Sequence, residues 1–595
     1  MASKSPYPDA TWRIAEVNPE RVRSLSRALR SSRQLSTILL NRGIEDAESA
    51  QKFLRPDWAD LHDPFEIKDM REAVARIRRA VLDREPTLVF GDYDVDGITA
   101  TTVLHRLFSL MDHPVTTFIP DRITEGYGLN RPAAERIVRS REASLVVTVD
   151  CGVSDIEGVR LLKENGIDVI ITDHHVAPPA LPPADALVNP KRLDCDYPFK
   201  LLAGVGVAFK LAWAIATEFS PRQRMTDEFS DFLLEATGLV ALGTVCDVVP
   251  LVGENRVLVA YGLKSLASSP NPGLRALLDV AGVSGRTLEP KHLGFKVGPR
   301  INAAGRMGCP EDALALLAAS SFQEAIECAN RLDRLNGRRQ SQERAVLAQV
   351  NQLVETLPHP PSEGIVLAHE GWSPGITGTV ASRLVDAHGA PCVLIAVNGD
   401  QGRGSGRSIP GLNLLELLAG FKDRLLSFGG HARAVGFSVS REAIDGFVHD
   451  FGVRIAERLA TSSFEQRLVA DCEVRLKDIT HKLLREIEML RPHGEGNPPP
   501  LFVSREVKIP GHPKSSGRKR KTLRFLVNQE LTRPPIPATS SALRLGPSEL
   551  KRIAPVDLAY VPKCVFKSGQ GGLELNVLAA RPVPPSEDEA EPGDR

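Results

Sequence analysis

Asp92, Asp94 and Asp96 stand two residues apart at the end of an apolar run, Thr87-Leu-Val-Phe-Gly91, and Gly97 follows them. Carboxylates this close repel one another unless a divalent cation neutralises them, so the chemistry this spacing suggests first is metal binding. A calcium loop of the EF-hand kind shares the pattern Asp-x-Asp-x-Asp-Gly. It is excluded because Val103 stands where that loop requires a bidentate Glu, and because a strand-like run rather than a helix leads in. A solvated acidic turn is the plain alternative for this stretch taken alone.

Other segments count against that alternative. Ser144-Leu-Val-Val-Thr-Val149 reads as a strand and ends in Asp150-Cys-Gly152; Ile167-Asp-Val-Ile-Ile-Thr172 reads as another and ends in Asp173-His174-His175. Asp247 is an acid set in the apolar segment Ala241 to Pro250, and a buried carboxylate without a partner is expensive. Singly, Asp150 suits a turn and either histidine a hydrogen-bonded structural role. Together they are acid and imidazole sites at strand ends in one domain. Carboxylates with imidazole and without thiolates favour manganese or magnesium over zinc.

Such groups need a sheet to hold them. Residues from about Pro86 to Ser284 alternate β-type and helical stretches, which predicts a doubly wound parallel sheet with ligands at the carboxyl ends of its strands. Residues 1–80 read as a small helical cap packed on the next domain, from the spacing of Val22, Leu25 and Leu29 and of Leu35, Ile38 and Leu39. Residues 309–360 read as a long connecting helix and 361–460 as a second α/β domain. Short β-rich segments in 461–583 suit a small barrel, and the acidic stretch 584–595 is expected to be disordered.

At 595 residues the chain is too long for one core, and roughly four domains is the prior. Lys plus Arg and Asp plus Glu both number 74, so any basic footprint for nucleic acid must be local. The eight cysteines are scattered without a Cys-x-x-Cys pair, which argues against a zinc ribbon or a disulfide framework and for a reducing compartment. The first residues lack the apolar core of a signal peptide, and the best apolar run, around Leu201 to Ala216, is broken by Lys210. The expected location is the cytoplasm, with no membrane partner.

Four polar clusters remain. Lys291 to Gly308 is a glycine-rich stretch carrying Arg300, Asn302 and Arg306, of the kind that approaches phosphate or simply turns. Gly402-Arg-Gly-Ser-Gly-Arg-Ser408 reads as hydroxyls and arginines on a flexible backbone; Gly429-Gly430 before His431 reads as a turn ending a helix. The densest basic run, Lys514 with Arg518, Lys519, Arg520 and Lys521, is either a solvated hairpin loop or a phosphate-binding strip.

Asp92-Tyr-Asp-Val-Asp-Gly97, Thr148-Val-Asp-Cys-Gly152, Asp173-His-His175 and Gly243-Thr-Val-Cys-Asp-Val-Val-Pro250 resemble, in order, the four motifs of the DHH phosphoesterase superfamily. The length and later motifs resemble its RecJ family of bacterial single-strand-specific 5′ exonucleases, and the likeness covers nearly the whole chain. It implies a DHH domain at 81–308, a DHHA1 domain at 361–460 and an oligonucleotide-binding barrel announced by Arg491 to Pro498. It implies Asp94, Asp96, Asp150, His174 and Asp247 as ligands of two divalent ions, Mn2+ or Mg2+, with Asp150 bridging and Asp92 and His175 supporting. His431 would contact the scissile phosphate, Arg122, Ser405 and Arg407 the terminal 5′-phosphate, and Asn302 and Arg306 the substrate path.

The implied activity is metal-dependent degradation of single-stranded DNA from its 5′ end to mononucleotides, in recombination and repair. A monomer is expected, with single-strand-binding protein and a helicase as candidate partners. Two alternatives are a DHH phosphodiesterase on short oligonucleotides, against which the barrel and basic run argue, and a catalytically silent Cdc45-like scaffold, against which the intact acids argue. Cys246 departs from the small residue such as Ala that the family pattern leads one to expect, and beside a metal site its thiol invites oxidation.

Overall fold

The computed structural model describes residues 11–120, 125–221, 225–357, 359–461, 467–517, 522–530, 534–543, 545–567 and 570–583. Arg122, Arg518, Lys519, Arg520, Lys521 and the acidic stretch 584–595 lie outside the described residues. The chain divides into two compact units, one of residues 52–342 with 491–498, the other of 1–51, 343–490 and 499–595.

In the first unit five parallel strands stand in the order Val115–Phe118, Thr87–Gly91, Leu145–Val149, Asp168–Thr172, Ala186–Val188. The second and third of these are buried along their whole length, as the near-continuous apolar sequence of a parallel strand covered on both faces requires. Register decides the rest: Gly91 pairs with Val149 and Val149 with Thr172. The next residues, Asp92, Asp150 and Asp173, therefore leave the sheet side by side.

Helices Val95–Leu110 and Gly204–Glu218 pack on this sheet, Asp227–Cys246 packs on both of them, and Gly253–Ala267 packs on Asp227–Cys246. Lys210, read as a break in an apolar run, is wholly buried there; its ammonium is 2.6 Å from Glu254, which also accepts from the Tyr197 hydroxyl. By length and apolarity, helix Asp227–Cys246 could cross a membrane, but 61% of its apolar window is buried in the protein. It is a core helix of this unit.

The second unit holds two sheets of interest. One has the order Leu425–His431, Ala434–Ser440, Gln401–Arg407, Cys392–Asn398, Ile365–His369, parallel only in its last pair. The segment Gly402 to Arg407, expected to have a flexible backbone, lies in the strand Gln401–Arg407. Its alternate glycines are buried: a β-carbon on Gly404 would sit 2.1 Å from the Phe437 ring, so the absence of side chains on that face lets Phe437 fill it. Arg403, Ser405 and Arg407 project to the other face by the two-residue alternation of a strand. Gly429 and Gly430 likewise lie in a strand rather than a helix-ending turn.

The other sheet has seven strands, in the order Cys472–Glu473, Phe502–Val507, Val556–Lys567, Gln570–Pro582, Ile536–Ser540, Thr522–Val527, Lys514–Ser516. Two of them, of 12 and 13 residues, form a long antiparallel pair where only short β-rich segments are expected. A bridge between Lys508 and Asn528 adds a further tie beyond the ends of two strands.

Only the first part of the amino-terminal cap needs correction, because residues 52–80 fall in the first unit, where helix Met70–Asp83 packs on Gly204–Glu218. Thr11–Ile14 is a strand paired with Arg467–Ala470, and Ser32, the N-cap of helix Arg33–Asn41, is held by the Glu486 carboxylate. These helices therefore pack against the carboxy-terminal part of their own unit. A helix of 34 residues, Phe322–Glu355, occupies the stretch expected as connector.

Segment Arg491–Pro498, read as leading into the barrel, is built into the acid-bearing unit. Arg256 donates to the carbonyls of Arg491 and Pro492, Leu251 N–H donates to Glu495, and Arg491 pairs with Glu289 at 2.6 Å. None of the eight cysteines forms a disulfide.

Candidate metal centre

Each acid is fixed by the element that follows or precedes it. Asp94 caps helix Val95–Leu110, accepting from the N–H groups of Asp96 at 2.8 Å and Gly97 at 3.2 Å. Asp96, in the first turn, accepts from Gly204 and Val205 N–H at 2.7 and 2.9 Å, at the positive end of helix Gly204–Glu218. Asp150 sits in a left-handed conformation, φ +60, that turns its carboxylate back from the strand end. A β-carbon on Gly204 would lie 2.4 Å from Asp150 Oδ1, so that glycine makes room for the acid.

Asp247 departs from expectation: it follows helix Asp227–Cys246, not a strand. The left-handed Val248, φ +62, turns the chain away directly after it. A β-branched residue rarely adopts that conformation, and here it marks the end of a site-bearing helix.

Asp173 is the organiser of the histidines. Its Oδ1 accepts from the N–H of His174 at 2.7 Å and of His175 at 3.1 Å and lies 2.8 Å from His175 Nδ1; its Oδ2 accepts from Val153 N–H. Burial lowers the basicity of His175, but the Asp173 bond and the nearby acids outweigh it and hold the imidazolium at about 9. Burial and that adjacent cation push His174 down to about 3, which keeps it neutral as a ligand must be.

The carboxylates and imidazoles converge in three groups whose ligand atoms lie within 4.8 Å of one another: Asp92, Asp94 and Asp150; Asp150, His174 and His175; Asp96, His174 and Asp247. Asp150 Oδ1 and His174 Nε2 are 3.1 Å apart, yet neither has an aligned hydrogen-bond partner among the described residues. His174 Nε2 is also 3.7 Å from Asp247 and 3.9 Å from Asp96.

Burial and mutual repulsion raise Asp96 to about 7, Asp247 to about 8 and Asp150 well above its ordinary value. Crowded, mutually repelling oxygen donors with one neutral imidazole, and Asp150 Oδ1 and His174 Nε2 without aligned partners among the described residues, fit hard divalent cations such as Mn2+ or Mg2+. The neighbouring Cys246 does not fit the expectation of easy oxidation: burial and Asp94 raise its thiol, and the thiolate is the form that reacts.

The remaining candidates fall elsewhere. Lys291 to Gly308 is helical, and Asn302 accepts from Val95 N–H at 3.2 Å, bracing the acidic loop. Arg300 is engaged by Asp333 and by the carbonyls of Lys296 and Val280. Arg306 ends the same helix, partly buried. In the second unit His431 and Arg407 both pair in register with Ala434, so they lie on the two strands that flank Ala434–Ser440, at one end of that sheet. Burial, then the cationic Arg407 and Arg433, lower His431 below its ordinary value. The Thr377 hydroxyl is 3.3 Å from Ser405 Oγ, and Lys514 is exposed on an edge strand.

Two contributors were not singled out from sequence: the bracing role of Asp173, and Tyr127, whose ring lies against His175 and Tyr93. A tyrosine between Gly126 and Gly128 was the available signal.

A parallel sheet that delivers Asp92, Asp150 and Asp173-His174-His175 from adjacent strand ends to one acidic cluster defines the class, a DHH phosphoesterase. Family models agree: the DHH family N-terminal domain matches residues 86–244, the DHHA1 domain 361–457 and the RecJ OB domain 470–578. Single-stranded-DNA-specific exonuclease RecJ of Bacillus subtilis is 38% identical over 82% of this chain and 61% of its own length. The chain thus spans less than two thirds of that relative. RecJ of Escherichia coli is 35% identical over 79% of this chain and 82% of its own.

The crystal structure of Thermus thermophilus RecJ with Mn2+ superposes with a TM-score of 0.79 at 30% identity, covering 97% of this chain and 80% of that one; its Mg2+ complex gives 0.74 at 29%. The chain belongs to the RecJ family of single-stranded-DNA-specific exonucleases.

Proposed function

We propose that this protein hydrolyses single-stranded DNA from the 5′ end, releasing mononucleotides in recombination and repair, at a centre of two divalent cations, Mn2+ or Mg2+. The observation that carries the reading is the overlap of the three ligand groups: Asp150 belongs to two of them and His174 to two. Asp94, Asp96, Asp150, His174 and Asp247 would hold the cations, Asp150 between them, with Asp92 and His175 in support. Bound there, divalent cations make water a nucleophile near neutral pH and stabilise charge on the attacking and leaving oxygens of an in-line displacement.

The chain supplies rigidity. Backbone N–H groups fix Asp94 and Asp96, and Asp173 fixes both histidines, so the donors need not reorganise when substrate arrives. The imidazolium of His175 adds a positive charge beside the acids, suited to a phosphate oxygen. Ser405, Arg407 and Arg122 would hold the terminal 5′-phosphate and His431 the scissile one. Arg306 would contact the strand, and Lys514 with Arg518, Lys519, Arg520 and Lys521 would track its phosphates. Asn302 would line the strand's path as well as brace Val95. Candidate partners are single-strand-binding protein and a helicase, the working unit a monomer and the compartment the cytoplasm.

The test is hydrolysis of 5′-labelled and 3′-labelled single strands in Mn2+ or Mg2+. The reading expects labelled mononucleotide at once from the 5′ label and progressive shortening of the 3′-labelled strand. The reverse pattern, or endonucleolytic fragments, would refute it.

A further inference from the structure

Tyr127 is half-exposed, at 48%, although one end of it is committed to the metal centre. Its hydroxyl lies 3.5 Å from the carbonyl oxygen of Asp150, and its ring meets His175 edge to face, centroids 6.2 Å apart. Tyr93, inside the acidic loop, meets the same ring edge to face at 6.4 Å. Two neighbours thus brace it.

The backbone holds it there too. Gly126 and Gly128 flank the residue with left-handed φ of +90 and +74, and the next N–H, of Leu129, donates to Asp155 at 2.6 Å. A β-carbon on Gly128 would lie 2.5 Å from the same Asp155 carboxylate, so this turn admits little else. A large aromatic surface is therefore presented beside the acids by a fixed turn, while its other contacts are with site residues.

Core packing does not account for the exposed part of the ring. Where the substrate is a single strand, bases are unpaired and stack readily on aromatic side chains, without sequence preference because every base has a π face. We propose that Tyr127 is a positioning residue that stacks on a base flanking the scissile phosphodiester and so registers the strand over the carboxylates. This rests on the nuclease reading above. It adds a contact that a duplex end, with its bases stacked and paired, cannot make without fraying.

The experiment uses the full chain in saturating Mn2+ and a short single strand carrying an abasic sugar at the first or the second nucleotide. Wild type should lose on the order of 5- to 150-fold in kcat/KM at one of these positions relative to the normal strand. Tyr127→Phe, which keeps the ring, should retain that abasic penalty, whereas Tyr127→Ala should be slow on the normal strand and show no further loss on the abasic one.

An abasic penalty that persists in full in Tyr127→Ala, or none at either position in wild type, overturns the proposal. The wild-type arms need no variant to fold. Absence of turnover on the normal strand by wild type would overturn the nuclease reading itself, and this inference with it.

Discussion

Two five-stranded α/β sheets carry the polar groups of this protein, and they present them in opposite ways. In the Thr87 sheet every strand is parallel, and Asp92, Asp150 and Asp173 emerge together past paired residues, while main-chain donors hold Asp94, Asp96 and Asp173 beside them. In the Gln401 sheet most pairs are antiparallel, and Ser405, Arg407 and His431 stand along or at the end of strands whose opposite face is cleared by glycine. The first arrangement concentrates like charge at a cost to folding; the second distributes cations and hydroxyls that solvent can reach. A reaction centre needs the former, and a phosphate grip needs only the latter.

The sharpest way to break this contrast is Asp150→Asn, chosen because Asn tolerates the left-handed backbone there. Hydrolysis in saturating Mn2+ should fall by about a thousandfold or more, as for loss of a group acting on the reacting atoms. In the metal-free protein the same change should raise the melting temperature, because an amide need neither take up a proton nor bear the neighbouring acids' repulsion on folding. Retention of more than a few per cent of activity would count against Asp150 as bridge.

In the other sheet, Arg407→Ala should raise KM for a 5′-phosphorylated strand by about 10- to 100-fold, the range for a charge-assisted hydrogen bond, with little change in kcat. A 5′-hydroxyl strand should be nearly indifferent to it. Equal losses on both substrates would remove Arg407 from the phosphate grip.

For the basic run the effect is on salt dependence. Replacing Lys514, Arg518, Lys519, Arg520 and Lys521 by Gln should reduce the magnitude of the negative slope of log affinity against log salt by up to ~3.5, at about 0.7 per single-strand phosphate contact. The loss should not vary with base sequence. A slope equal to that of wild type would mark the run as a solvated loop.

How far these contrasts were readable in advance differs between the sheets. The acids were legible because each follows an unmistakable strand, and register then places Asp92, Asp150 and Asp173 together without further information. Asp247 was legible as costly but not as helix-borne, since Ala241 to Val249 is apolar enough for either element.

Gly402 to Arg407 was read as flexible because glycine alternation resembles a loop until Phe437, more than thirty residues on, is known to fill the vacated face. Asn302 read as a substrate contact alone because Val95 N–H, which it also braces, is two hundred residues away. Arg491 to Pro498 was read through its resemblance to the entry of the barrel, while its hydrogen bonds go to Leu251 and Arg256. The long-range partner was the missing quantity in all three.

The smallest expected effect is in the metal-free protein's response to pH. Asp96 at about 7 and Asp247 at about 8 lie above their unfolded values, so the folded state binds more protons. Stability should therefore rise as pH falls from about 9 through 8 and 7, and the gain should level off only below the unfolded carboxylate range near 4. Saturating Mn2+ should flatten the trend over the upper part of that window. A metal-free melting temperature independent of pH between 6 and 9 would show that the acids are not held against their repulsion.

The central claim, one preorganised centre joined through Asp150, is tested most directly by counting bound Mn2+ from the electron paramagnetic resonance signal of the free ion. Wild type should take up two ions per chain, and Asp150→Asn at most one with comparable affinity, alongside its loss of hydrolysis. Two ions bound equally well by the variant, or a single ion in a fully active wild type, would contradict the account.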